Sequence, residues 1–238
     1  VVRYAGSPMP SSNATTDTTT VAGFTIQAWT TVGSGTLSLA DLDARLGVAI
    51  PGVLSGSGTL AWSGPGSLTL GGANTFSGAT SVDAGSLLIG SGASLPSALI
   101  TVNAGATLGG LGTVADVVFS GSSSLAFNAL GPLVSSGSMT FASGFGIANL
   151  ADVDWNTLVQ NVPYTIINTS SQIFSAASID NFGAGNAASV GNGRYAYFQS
   201  SGHDLQVMVV PEPTTLVLVA TGLAALAFRM RCKTPPHP

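Results

Sequence analysis

Two close pairs of carboxylates, Asp41 with Asp43 and Asp152 with Asp154, are the places where this sequence brings acids together. In a strand, residues i and i+2 share one face, so each pair would set two carboxyls side by side. That is the arrangement glycoside hydrolysis uses. The plainer reading makes them solvated turn or cap residues, and a lyase would find no obvious base beside Asp152 and Asp154. His203 sits in Gly202-His203-Asp204, a turn before the last strand, with no nucleophile or orienting group that can be assigned to it. Cys232 stands alone, so it forms no internal disulfide and no metal-ligand spacing. Lipidation is the one chemistry its position beside an apolar run would suit. Gly-x-Gly patterns carry no weight in so Gly-rich a chain, and the Gly-Gly-x-Gly-x-Asp calcium signature is absent. No catalytic residue, metal site or cofactor is expected.

The composition explains that poverty of chemistry. Charged residues make up 7% of the 238, against roughly 25% in an ordinary soluble domain. Hydrophobic residues reach 45%, and 31 Gly with many Ser and Thr supply polarity through hydroxyls and backbone. Such a skin suits an extracellular repeat protein. Net charge is −4, yet Arg229, Arg231 and Lys233 cluster near the C-terminus and only Arg3, Arg45 and Arg194 serve the rest. A body so short of cations cannot neutralise a row of phosphates, so nucleic-acid binding is excluded. The chain opens on Val1-Val2-Arg3-Tyr4, without Met or an apolar leader. If the protein is exported, its signal peptide is expected upstream of Val1, and the chain is then expected to be a fragment or trimmed form.

The elements around these residues are short. Residues 1–35 read as a Ser/Thr-rich lead-in with a first strand at Phe24–Trp29. Ser38 to Leu46 fits either a helix, with Leu39, Leu42 and Leu46 on one face and Ser38 and Asp41 as a capping box, or a strand. Over 36–150 one design recurs: Gly, a small residue, then a run centred on Leu. Gly58-Thr59-Leu60-Ala61-Trp62, Gly66-Ser67-Leu68-Thr69-Leu70 and Gly85-Ser86-Leu87-Leu88-Ile89 show it, and Gly105-Ala106-Thr107-Leu108 follows about 20 residues later. Strands so short are unstable alone, and each turn of such a repeat buries its apolar face only by stacking on its neighbours. Leu68, Leu70, Leu87, Ile89, Val102 and Leu108 are the expected inward ladders, and Asn74 and Asn103 the expected stacked amides. Eight or nine coils at roughly 4.8 Å each would build a rod about 40 Å long. A β-sandwich is the competing architecture, though its strands run longer and alternate more clearly. Residues 151–209 read as terminal coils or a cap, with strands at Tyr164–Ile167, Tyr195–Phe198 and Leu205–Val210.

Residues 210–238 form a distinct tail. Pro211-Glu212-Pro213 precedes fifteen uncharged residues, 214–228, and then Arg229-Met230-Arg231-Cys232-Lys233. The run is shorter than the roughly 20 residues of a comfortable span. It also fits a buried core helix, but the terminal basic cluster favours a transmembrane helix held by the positive-inside rule. Val210-Pro211-Glu212-Pro213, the apolar helix and the basic stop Arg229, Arg231 and Lys233 resemble the PEP-CTERM sorting signal of Gram-negative bacteria. Glu212 is the sole Glu of the chain and sits where that motif requires one. The resemblance implies export through the Sec machinery, transient inner-membrane anchoring through 214–228, and processing by an exosortase.

A second resemblance covers Gly56 to Val114 and is closest over Gly64-Pro65-Gly66-Ser67-Leu68-Thr69-Leu70-Gly71-Gly72-Ala73-Asn74-Thr75-Phe76-Ser77-Gly78-Ala79-Thr80-Ser81-Val82-Asp83-Ala84-Gly85-Ser86-Leu87. This stretch is similar to the autotransporter-associated β-strand repeat, whose passenger domains fold as right-handed parallel β-helices. The expected fold is therefore all-β, a right-handed parallel β-helix (solenoid) followed by a C-terminal transmembrane helix. The expected function is a secreted or surface-displayed structural and adhesive exoprotein, associated with exopolysaccharide. A polysaccharide lyase or glycosidase on the same fold is the alternative, and a module of a larger surface protein a third.

Overall fold

The computed structural model describes residues 2–5, 16–21, 24–29, 36–39 and 48–212, apart from 57, 143 and 170–178. Its body is a parallel β-solenoid with three faces. The first face stacks Thr36–Leu39, Thr59–Trp62, Thr80–Val82, Ile100–Val102, Val117–Phe119 and Met139–Phe141, all parallel, and Val2–Ala5 adds antiparallel at the near edge. The second face stacks Val48–Ile50, Ser67–Leu70, Ser86–Ile89, Thr107–Gly110, Ser124–Ala126 and Leu150–Ala151. The third begins with Ser94–Leu95, Thr113–Val114 and Leu133–Ser135. Parallel pairing throughout these coils rules out the sandwich. Thr36–Leu39 resolves the ambiguous segment as strand in its first part, while Asp41, Asp43 and Arg45 lie outside the described residues.

Stacking explains why strands of two to four residues persist. On the first face Leu60, Thr80, Ile100, Val117 and Met139 align in one inward column, and Trp62, Val82, Val102, Phe119 and Phe141 in the next. On the second, Leu68, Leu87, Leu108, Leu125 and Leu150 form a leucine column. All of these are buried. Burying each large side chain contributes about 1.5–3 kcal/mol, so one coil is marginal and the pile is not. Leu68, Leu70, Leu87, Ile89, Val102 and Leu108 all point inward as expected. Hydroxyls take the outward places: Ser67, Ser86, Thr107 and Ser124 line one column.

Three features differ from the sequence reading, and a fourth expectation falls on residues that are not described. Thr16–Val21, read as loose, pairs antiparallel with Phe24–Trp29; Thr and Val are β-formers, and the expected strand at Phe24–Trp29 supplies the partner. Among the described residues the first face holds six parallel strands, fewer than the eight or nine coils expected, because the chain beyond 150 leaves the repeat. The asparagines do not stack on each other. Buried Asn74 instead bridges coils, whereas Asn103 donates at the surface to Asp83 at 2.7 Å. The helix expected at 214–228 lies outside the described residues; among those described, no helix is long and apolar enough to cross a membrane.

The far end is closed by an antiparallel cap. Pro163–Thr169 runs parallel to Leu133–Ser135 on one side and antiparallel to Asp204–Pro211 on the other. Arg194–Ser201 and Ala188–Gly191 complete the sheet. Switching from parallel to antiparallel lets short hairpins finish a pile that would otherwise end on an open edge. Phe145 binds the cap to the coils: its ring lies 4.5 Å from Phe141, 5.6 Å from Phe119 and 6.3 Å from Phe198.

Candidate sorting site at the end of the last strand

The sorting motif expected from the sequence starts inside the folded cap. Leu205, Val207 and Val209 alternate with half-buried Gln206, Met208 and Val210, so Asp204–Pro211 has one face in the core. Val210 pairs with Tyr195 and Pro211 with Arg194. Proline has no N–H to give a ladder, and the strand ends there. Glu212 is exposed, but its backbone N–H still donates to the Gly193 carbonyl at 2.9 Å. Pro213, the apolar run and the basic stop Arg229, Arg231 and Lys233 lie outside the described residues.

Gly193 belongs to a two-residue hairpin loop, Asn192-Gly193, between Gly191 and Arg194. Asn192 has φ 51° and Gly193 φ 66°, the left-handed pair that a type I′ turn demands and that Asn-Gly accepts. Side chains fasten this turn to the loop after the second face. The Asn192 amide donates to Asn156 Oδ1 at 2.8 Å, and one guanidinium nitrogen of Arg194 donates to the carbonyls of Trp155 (2.7 Å) and Leu158 (2.8 Å). In the sequence the Asn-Gly dipeptide between two strand-like runs marks the turn, and nothing there sets these residues apart as a site. Their contact with Glu212 joins positions far apart in the chain and has no local signature.

The candidate catalytic groups are not assembled. Asp152 adopts φ 60°, off any strand, and its neighbour Asp154 caps a turn by accepting the Asn156 N–H at 3.0 Å. Both are exposed. His203 is exposed in the two-residue loop between Ser201 and Asp204, where its carbonyl accepts the Thr169 hydroxyl at 3.0 Å. Asp116 is held by the neighbouring coil: the Ser138 backbone N–H (2.6 Å) and hydroxyl (2.9 Å) both donate to it and hold its carboxyl below the usual carboxylate range. Among the described residues no three His, Cys, Asp or Glu lie together as metal ligands would.

Comparison with known proteins matches two segments of this geometry. Residues 63–89 match the passenger-associated-transport-repeat family. They run from the end of Thr59–Trp62 to the end of Ser86–Ile89, a little more than one coil. Residues 209–231 match the PEP-CTERM protein-sorting motif, beginning at buried Val209. Over 83 residues, 35% of this chain, the sequence is 41% identical to the adhesin BmaC autotransporter of Brucella suis biovar 1 (strain 1330). The match spans 2% of that protein's length. No solved structure matches the chain. The chain thus carries a passenger-type repeat on its solenoid and a sorting motif after it.

Proposed function

We propose that the chain is a non-enzymatic, adhesin-like exoprotein, exported and displayed at or shed from the cell surface. The observation that carries this reading is the pairing of a passenger-type coil at 63–89 with a sorting motif at 209–231. The adhesin similarity supports the same role. Under this reading residues 36–150 are the display rod, wound right-handed as in passenger domains, 151–209 its cap, and 210–238 the sorting tail behind a lead-in at 1–35. Val210, Pro211, Glu212 and Pro213 are recognised by an exosortase after Sec export. The apolar run 214–228 anchors the chain in the inner membrane, with Arg229, Arg231 and Lys233 as the cytoplasmic stop. A low-charge, hydroxyl-lined surface suits contact with exopolysaccharide, whose sugars offer hydroxyls rather than charge. The glycosidase alternative gains nothing from Asp152 and Asp154, which sit in an exposed turn.

Intact mass of the product exported by a producing cell tests the sorting role. The expected mass is that of a chain ending near Pro211. A product that retains residues 214–238 would refute it. Adhesion is tested separately, by retention of the exported protein on exopolysaccharide, and passage through every matrix fraction would count against it.

A further inference from the structure

The matched sorting motif and the folded cap overlap at residues 209–212, so the last strand of the cap runs directly into the start of the motif. Val210 and Pro211 are rungs of the cap sheet, and Glu212 is fastened to Gly193. The Gly193 carbonyl is itself fixed, because Asn192 is tied to Asn156 and Arg194 to two carbonyls of the 155–158 loop. On its other side the last strand is joined at Val209, whose carbonyl accepts the Asn161 N–H at 2.7 Å. A processing enzyme must close around an extended segment of its substrate. Here the cap already occupies one edge of that segment and stands directly before it.

Resting on the sorting reading above, we propose that Asn192, Gly193 and Arg194 are positioning residues for processing: they clamp the start of the motif, and the exosortase engages it after Glu212 is released from Gly193. The clamp keeps the tail attached while the cap is fully closed and makes processing depend on local opening at the end of the last strand. Terminal rungs of a ladder open more readily than its interior, so the device needs no unfolding of the rod.

The test uses the full chain, co-expressed with an exosortase in membranes, with processing followed by pulse–chase and opening followed by hydrogen exchange at the Glu212 amide. Arg194→Ala frees the turn from the 155–158 loop, and processing is expected to accelerate about fivefold, the factor one net hydrogen bond supplies. Inserting Gly-Ser-Gly-Ser after Val209 detaches the motif while leaving Asn192, Gly193 and Arg194 in place, and the same acceleration is expected. In the insertion background Arg194→Ala should add nothing, whereas a merely structural loss in the cap would still change the rate. Faster exchange at Glu212 with unchanged or slower processing overturns the clamp. Glu212→Ala is expected to abolish processing in either background. If it is processed at the parental rate, the sorting reading fails first and the clamp with it.

Discussion

The side-chain oxygen of Asn74 accepts the backbone N–H of Leu54, 20 residues earlier, at 2.9 Å. Its amide nitrogen donates to the carbonyl of Ser94, 20 residues later, at 2.8 Å, and to Gly72 at 3.0 Å. One buried side chain therefore stitches three successive coils at a corner where the backbone leaves the sheet ladder. Replacing Asn74 by Ala leaves the Leu54 N–H without its acceptor in a dry corner and is expected to cost about 2 kcal/mol. Asn74→Asp keeps that acceptor but points an anion at two carbonyl oxygens, so its deficit should widen as pH rises above about 4. Denaturant midpoints of the two variants at pH 3 and pH 7 check both statements, and equal midpoints for Asp at the two pH values would contradict the second.

A hydroxyl in the core predicts the opposite sign. Thr80 lies between Leu60 and Ile100 in the first inward column, and among the described residues its buried Oγ1 has no hydrogen-bond partner. Valine has the same shape without the stranded donor. Thr80→Val is expected to stabilise the solenoid by about 1 kcal/mol, read as a higher urea midpoint at unchanged slope. Val82→Thr, the reverse change in the adjacent column, should destabilise by a similar amount.

How far these columns were legible follows from the physics of short strands. The Gly–small–Leu unit announced Leu68, Leu87 and Leu108 as inward because an outward Leu in a nearly uncharged repeat would have no reason to recur. Thr16–Val21 and the number of coils were not legible. Thr16–Val21 is a Thr-rich run with no apolar alternation to mark it, although its partner Phe24–Trp29 follows at once. The number of coils depends on non-local pairing of strands of two to four residues, which carry too little pattern to fix their register. Coil length varies as well: Leu125 pairs with Leu150, a wider step than the one from Leu68 to Leu87. Asn74 stood out as an amide expected to stack, but its partners Leu54 and Ser94 are backbone groups of other coils. For the tail, Glu212 stood out by its uniqueness, whereas its Gly193 partner depends on how the cap strands order themselves across the sheet, which the Asn192-Gly193 turn signal alone does not fix.

Two glycines with positive φ should respond differently to a side chain. Gly110, at φ 116°, stacks on Ile89, and a Cβ there would run into the Ile89 backbone. Gly105, at φ 81°, has open space around its Cβ position. Gly105→Asn is expected to cost no more than about 1 kcal/mol, since Asn tolerates the left-handed region. Gly110→Ala should cost more than about 3 kcal/mol, because the coils themselves must separate. Thermal unfolding of the two variants side by side distinguishes close approach from simple turn geometry.

Asp116 predicts a pH dependence whose sign is set by Ser138. The backbone N–H of Ser138, then its hydroxyl, favour the charged carboxylate, so the folded value lies below the unfolded 3.8. A group with a depressed folded value adds stability above its unfolded value and loses it as pH falls through the folded one. The parent should therefore exceed Asp116→Asn in denaturant midpoint by a constant margin above about pH 5, with the margin shrinking below pH 4. The site is exposed, so the margin is small. A margin independent of pH from 2 to 6 would show that the Asp116–Ser138 contact is not formed in solution.

Phe145 carries the connection between rod and cap. Its ring is buried and sits among Phe141 and Phe119 of the coils and Phe198 of the cap, while its backbone carbonyl accepts the Asp180 N–H at 2.7 Å. Truncation to Ala removes the ring that both bodies share and leaves a cavity, at a cost of about 3–5 kcal/mol. The loss should not fall evenly. The coils keep their own leucine column, whereas the cap loses the aromatic contact that reaches Phe198, so hydrogen exchange should rise first across 194–211 and remain slow at Leu87 and Leu108. Phe145→Leu, which refills much of the volume, should restore most of the protection. Uniform loss of protection from Leu60 to Val209 would instead mean that rod and cap open as one unit, and that closure of the cap cannot be tuned apart from the solenoid beneath it.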